Sequence, residues 1–200
     1  MLSFSIAADF IGYLFFSSVD DLKAFSRSDE RRIEDTDINE DIEKSLGLLT
    51  DHYKDRINIH KDYGDLPRVK CYAGQIDQVF MNLIANACQA IENQGDIWIT
   101  TRLEKYTVVV SIRDNGVGIP KEHMDKIFDP FFTTRDVGEG TGLGLSISYG
   151  IIERHRGEIL VESEPGSGTT LIIQIPVNFE AWESRNSVLS AINPVSVELI

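Results

Sequence analysis

The sequence predicts an α/β domain over residues 36–177, a two-layer sandwich with a mixed sheet and helices on one face. Three observations predict it. Ile38, Ile42, Leu46 and Leu49 line one face of a helix, and a longer apolar helix runs from about residue 74 to 93. The strand-like runs DIWITTRL (96–103) and YTVVVSIRD (106–114) are parted only by Glu104-Lys105. Helices and strands intermix without the strict alternation of a parallel βαβ sheet.

In chain order, residues 1–27 read as helical, with Phe15, Val19, Leu22 and Phe25 at helical spacing. Within them, MLSFSIAADFIGYLFF lacks a basic n-region, is interrupted by Asp9 and is too short to span a bilayer. A helix that packs on a partner chain is expected there, and with it a homodimer through residues 1–27. Residues 28–35 are polar and charged and read as a linker, so 1–35 form an N-terminal segment. Asp37-Ile-Asn-Glu40 resembles a capping box at the start of the next helix. INIHKDYG (57–64) and RVKCY (68–72) read as strands. After the long helix and the strand pair come a glycine-rich stretch, a helix at about 142–155 and strands at 157–163 and 169–177. The tail, 178–200, has no partner in this pattern and reads either as a docking helix around Trp182 or as disordered.

Bulk properties narrow the function. A formal net charge of -13 argues against nucleic acid and against direct contact with an anionic membrane, both of which are met through Lys and Arg. A triphosphate remains compatible if it arrives with a divalent cation and meets backbone amides. Cys71 and Cys88 give neither a disulfide framework nor a zinc spacing, and reduced thiols in a cytoplasmic protein are expected.

Three stretches carry chemistry. In Asp114-Asn-Gly-Val-Gly-Ile-Pro120 a Val-rich strand ends in a carboxylate, and two glycines let the backbone turn and a flat ligand approach. Asp-Asn-Gly is also a common turn signal, and alone this stretch favours a plain turn. Gly138-Glu-Gly-Thr-Gly-Leu-Gly-Leu145 opens a helix, leaving amides free for a phosphate at the positive end of the helix dipole. That is neither a Walker nor a Rossmann pattern. Asn82 and Asn86 share a helix face at i, i+4. Alone, they read equally as loop-capping amides and as hard oxygen donors to Mg²⁺.

With Ile127-Phe-Asp-Pro-Phe-Phe-Thr-Thr134 and Gly166-Ser-Gly-Thr169, these motifs fall in an order that resembles the sensor histidine kinases. The likeness covers residues 37–177 and points to the catalytic domain of the GHKL superfamily, which includes gyrase B- and MutL-type ATPases. It is nearest the nitrogen-regulation group. The resemblance implies a Bergerat-type fold that binds ATP with Mg²⁺. Asp114 would hold the adenine amine, with Gly116, Gly118, Ile119 and Thr169 completing the base site. Asn86, helped by Asn82, would bind Mg²⁺. Gly140, Thr141, Gly142, Leu143, Gly144 and Leu145 would line the triphosphate. Phe128, Phe131 and Phe132 would seat the hinge of a lid over about 133–141, with Thr133 and Thr134 at its start. Arg135 stands where similar kinases carry Lys, either on the γ-phosphate or as a solvated charge.

The implied partners are a histidine-containing dimerisation domain and a response regulator receiver domain. None of His52, His60, His123 and His155 sits in an acceptor-like motif, and all four are expected away from the γ-phosphate. Val19–Arg27 resembles the end of the second dimerisation helix. Rival readings are a regulatory ATP-binding module without turnover and an anti-sigma serine kinase, against which the Phe-Asp-Pro-Phe-Phe-Thr-Thr stretch argues. A gyrase- or MutL-type hydrolase is disfavoured because Asn82 stands where those enzymes place a glutamate.

Overall fold

Asp37 accepts a hydrogen bond from the Glu40 amide at 3.1 Å and so caps helix α1 (Ile38–Leu48), as the capping pattern predicts. The computed structural model describes residues 33–135 and 140–179. The homodimer segment 1–27, the centre of the lid and the Trp182 region lie outside the described residues.

A short helix α2 (Thr50–Tyr53) follows α1. Strand β2 (Ile57–Tyr63) leads to β3 (Val69–Tyr72) and directly into the long helix α3 (Ala73–Ala90). Next come β4 (Gly95–Glu104), β5 (Thr107–Asp114) and a 3₁₀ helix (Lys121–Lys126). Helix α4 (Gly144–Arg154), β6 (Glu158–Glu164) and β7 (Gly168–Pro176) complete the order. The main sheet runs β2-β4-β5-β7-β6, with β2 and β4 parallel and every other pair antiparallel.

The sheet is mixed, and among the described residues only one face is covered. Ile97 and Ile99, Val108, Val110 and Ile112, and Leu171, Ile173 and Ile175 are buried at a period of two. They meet Ile38, Ile42 and Leu46 of α1 and Val79, Phe80, Leu83 and Ile84 of α3 in one core. Trp98, Thr100, Ser111 and Gln174 on the other face stay half-exposed. Cys71 and Cys88 are buried free thiols in that core.

Two boundaries differ from the sequence reading. Residues 33–36, assigned mostly to the linker, form strand β1 (Ile33–Thr36), which pairs antiparallel with β3. The start of the tail is also attached: Asn178 bridges Lys70, and the Phe179 ring lies 5.7 Å from Tyr72 and 5.3 Å from His155. His155 is fully buried, with Nε2 accepting from the Tyr72 amide at 3.0 Å and Nδ1 2.7 Å from the Ile151 carbonyl. Burial holds its pKa below the usual histidine range, so it stands as a neutral clasp between α4 and the start of α3.

Candidate functional site

Asn82, Asn86 and Ala90 recur every four residues along α3, and Met81, Ala85 and Gln89 form the ridge beside them. Both ridges face one cavity of about 570 Å³. Its walls bring together Asp114, Gly118, Ile119 and Thr169 from one side and Thr133, Thr134, Arg135, Gly140, Thr141, Gly142, Gly144 and Leu145 from the other, with Phe132. A second depression, about 430 Å³ between α4 and the β6–β7 edge, receives none of the predicted residues.

Asp114 ends β5 almost fully buried. Its Oδ1 accepts from the Gly116 amide at 2.8 Å and the Thr169 amide at 3.3 Å. Desolvation raises its pKa, and these two backbone donors partly offset the rise. With Oδ1 engaged, Oδ2 is what the carboxylate can offer a ligand in the cavity. Gly118 adopts φ +70°, and a Cβ there would lie 2.2 Å from the Glu164 carbonyl, so only glycine fits between the loop and β6. Ser163 joins the pieces: its Oγ accepts from the Ile119 amide at 2.8 Å, donates to the Gly168 carbonyl at 3.0 Å and lies 2.9 Å from Thr169 Oγ1.

Across the cavity, α4 begins at Gly144 with no side-chain cap on its first amides. Gly142 adopts φ +65°, and a Cβ there would lie 2.4 Å from the Phe131 carbonyl carbon. That close approach is used: the Phe131 amide donates to the Gly142 carbonyl at 2.9 Å. Asn82 Nδ2 donates to the Gly144 carbonyl at 3.1 Å and to Ser148 Oγ at 3.2 Å, so it ties α3 to the start of α4. The Asn86 amide has no partner among the described residues although it lines the cavity. A free amide oxygen among backbone donors suits a hydrated Mg²⁺ that takes its other ligands from phosphates. Among the described residues no cluster of three His, Cys, Asp or Glu forms a metal cage of its own. Arg135 donates to Gln89 Oε1 at the mouth.

Not every predicted residue reaches the cavity wall. Gly116 lies behind it, beneath the Ala90 carbonyl, and gives its amide to Asp114. Phe128 packs against Tyr149 at 5.2 Å, Phe131 is largely exposed, and Leu143 is the N-cap of α4. The sequence reading also missed wall residues. His52, expected away from the γ-phosphate, lines the cavity beside Leu49, as do Gln89 and Val117. A single histidine on a four-residue helix carries no periodic signal, so only the packing of α2 on α3 reveals it.

Residues 72–178 match the family described as Histidine kinase-, DNA gyrase B-, and HSP90-like ATPase. The sensor kinase CckA of Brucella abortus is 40% identical over 191 residues, which cover 88% of this chain. The chain spans about a fifth of the length of the curated relatives it matches, 20% of CckA and 16% of sporulation kinase E of Bacillus subtilis. The nucleotide-free catalytic domain of histidine kinase ThkA superposes with a TM-score of 0.68 at 36% identity, covering 74% of this chain and 98% of that one. ThkA in complex with the response regulator protein TrrA superposes with a TM-score of 0.73 at 29% identity, covering 90% and 53%. Among the described residues no helix is long and apolar enough to cross a membrane.

Proposed function

The chain belongs to the histidine kinase-, DNA gyrase B- and HSP90-like ATPase family, and on that premise we propose that it carries the ATP-binding catalytic domain of a two-component sensor histidine kinase. In this reading the γ-phosphoryl group passes to a histidine on a dimerisation domain and then to a response regulator receiver domain. The observation that carries it is convergence: Asn86, Asp114, Thr169 and the Gly140–Gly144 loop, far apart in sequence, line one cavity.

Asp114 accepts from the adenine amine, with Gly118, Ile119 and Thr169 beside it in the cavity wall. The amides at the start of α4 and the positive end of its dipole face the triphosphate. Asn86, assisted by Asn82, would hold Mg²⁺ through an amide oxygen, and the cation would supply charge neutralisation on the phosphates. Arg135 supplies a cation at the mouth. A neutral imidazole is already nucleophilic, so the domain's task is positioning, not proton abstraction. Hydrolysis is disfavoured because Asn82 supplies no carboxylate to activate water, and its amide is engaged with Gly144 and Ser148.

Incubation with γ-labelled ATP tests this, with the chain alone and with a separate histidine-containing dimerisation domain. Acid-labile, alkali-stable label is expected only on the added domain. Stable label on the chain alone, lost in His123→Ala or His52→Ala, overturns the division of labour. ATP binding with no label on any histidine domain leaves a binding module without turnover.

A further inference from the structure

Arg56 precedes β2 by one residue, and its guanidinium reaches across to the C-terminal end of α3. Nη2 donates to the Cys88 carbonyl at 2.8 Å, Nη1 to the Ile91 carbonyl, and Nε to the His52 carbonyl at 3.1 Å. Its own backbone is fixed as well: the amide donates to Tyr53 at 3.0 Å and the carbonyl accepts from Gly95 at 3.1 Å. Among the described residues no carboxylate pairs with it. A half-buried cation whose fork is divided among three carbonyls of two elements is a cap on a helix end, where orphan carbonyls and the negative end of the dipole lie.

That helix end also supports the cavity. The Ala90 carbonyl, between the two that Arg56 holds, accepts from the Val117 amide at 3.0 Å. Val117 sits between Gly116 and Gly118, in the loop that leaves Asp114. The His52 carbonyl, held by the same guanidinium, belongs to a residue of the cavity wall. The middle of α3 is anchored separately, two turns earlier, through Asn82 to Gly144 and Ser148.

We infer that Arg56 is a positioning residue of the nucleotide site, setting the Asp114–Gly118 loop and His52 through the last turn of α3 without touching the ligand. This rests on the cavity being the ATP site. Loss of the fork releases the helix end and with it the base-side loop. The Asn82–Gly144 side keeps its own anchor, so the phosphate side holds.

Two measurements separate this inference from the reading beneath it. Amide exchange in the nucleotide-free protein, comparing wild type with Arg56→Met, is expected to speed at Val117 while Ile147, in α4, stays protected. Titration with ADP and GDP, with and without Mg²⁺, is expected to show about tenfold weaker ADP binding and a reduced adenine preference, the loss of a charged hydrogen bond. The Mg²⁺-dependent gain is expected to be unchanged. Arg56→Lys keeps a cation but cannot fork, and about a threefold loss is expected. If Arg56→Met does not fold, Arg56→Lys is read alone. Wild-type exchange at Val117, or wild-type adenine preference in a folded variant, overturns the inference. No nucleotide binding by the wild type overturns the functional reading instead, and the exchange measurement still decides the role of Arg56.

Discussion

At one end of the cavity Asp114 Oδ1 already accepts from the Gly116 and Thr169 amides, and Ser163 ties together the Ile119 amide, the Gly168 carbonyl and Thr169. At the other end the Asn86 amide has no partner among the described residues, and α4 starts without a side-chain cap. The first end is shaped before any ligand arrives; its groups hold one another in place and leave Asp114 Oδ2 to meet the base. The second keeps amides and an amide oxygen in reserve. The difference teaches where recognition and chemistry divide. A base is always the same flat object and suits a rigid slot, whereas a triphosphate with its cation changes charge and shape during transfer. Preorganised order is stored where the ligand is constant.

The comparison breaks first at Asp114. Asp114→Ala removes the one side chain proposed to read the adenine amine, a loss of about 1.5–3 kcal/mol for a charged hydrogen bond. Roughly tenfold to hundredfold weaker ADP binding is expected by calorimetry, equal with and without Mg²⁺. Wild-type affinity in the variant takes Asp114 out of the site. Asn86→Ala is expected to act only at the other end, cutting the Mg²⁺-dependent gain by about tenfold while metal-free ADP binding stays close to wild type. Equal losses with and without Mg²⁺ remove the metal assignment. Asn82→Ala unties α3 from α4, and about 1–2 kcal/mol less stability is expected in urea unfolding, with about a threefold change in affinity. Unchanged stability would mean the Gly144 and Ser148 contacts contribute nothing.

The two ends were also unequally legible in the sequence. The glycine loop and the Asp-Asn-Gly-Val-Gly stretch announce themselves, because positive φ and close approach demand glycine at Gly118 and Gly142. Helix α3 and the β4–β5 pair follow from their periods of apolar residues, which burial reproduces at Ile97, Ile99, Val108, Val110 and Ile112. Strand β1 was missed because Ile33-Glu-Asp-Thr36 has one apolar residue in four and pairs with a strand more than thirty residues away. Ser163, His52 and Arg56 were missed for a different reason. Each acts through a contact between elements remote in sequence, and a lone serine, histidine or arginine has no spacing that marks it. The wall opposite the motifs therefore had to come from packing.

The smallest expected effect separates the two ends by pH. Burial raises the Asp114 carboxyl above the ordinary carboxylate range, since the Gly116 and Thr169 amides only partly offset desolvation. For stability the sign is clear. A carboxyl raised in the folded state contributes fully below the unfolded value, and that contribution is lost as pH climbs through the folded value. Binding of the base runs the other way, because the ionised form is the acceptor. It weakens as pH falls toward that raised value. Adenosine is the ligand to use, since it has no phosphate to titrate alongside the protein. A progressive decline is expected in wild type as pH falls from neutral toward the carboxylate range. Asn86→Ala is expected to show the same slope, because an amide takes up no proton in this range. Asp114→Asn, neutral throughout, is expected to bind more weakly but with a flat profile. A decline that persists in Asp114→Asn places the proton elsewhere on the cavity wall, and the preshaped end of the site would then owe its pH response to something other than its carboxylate.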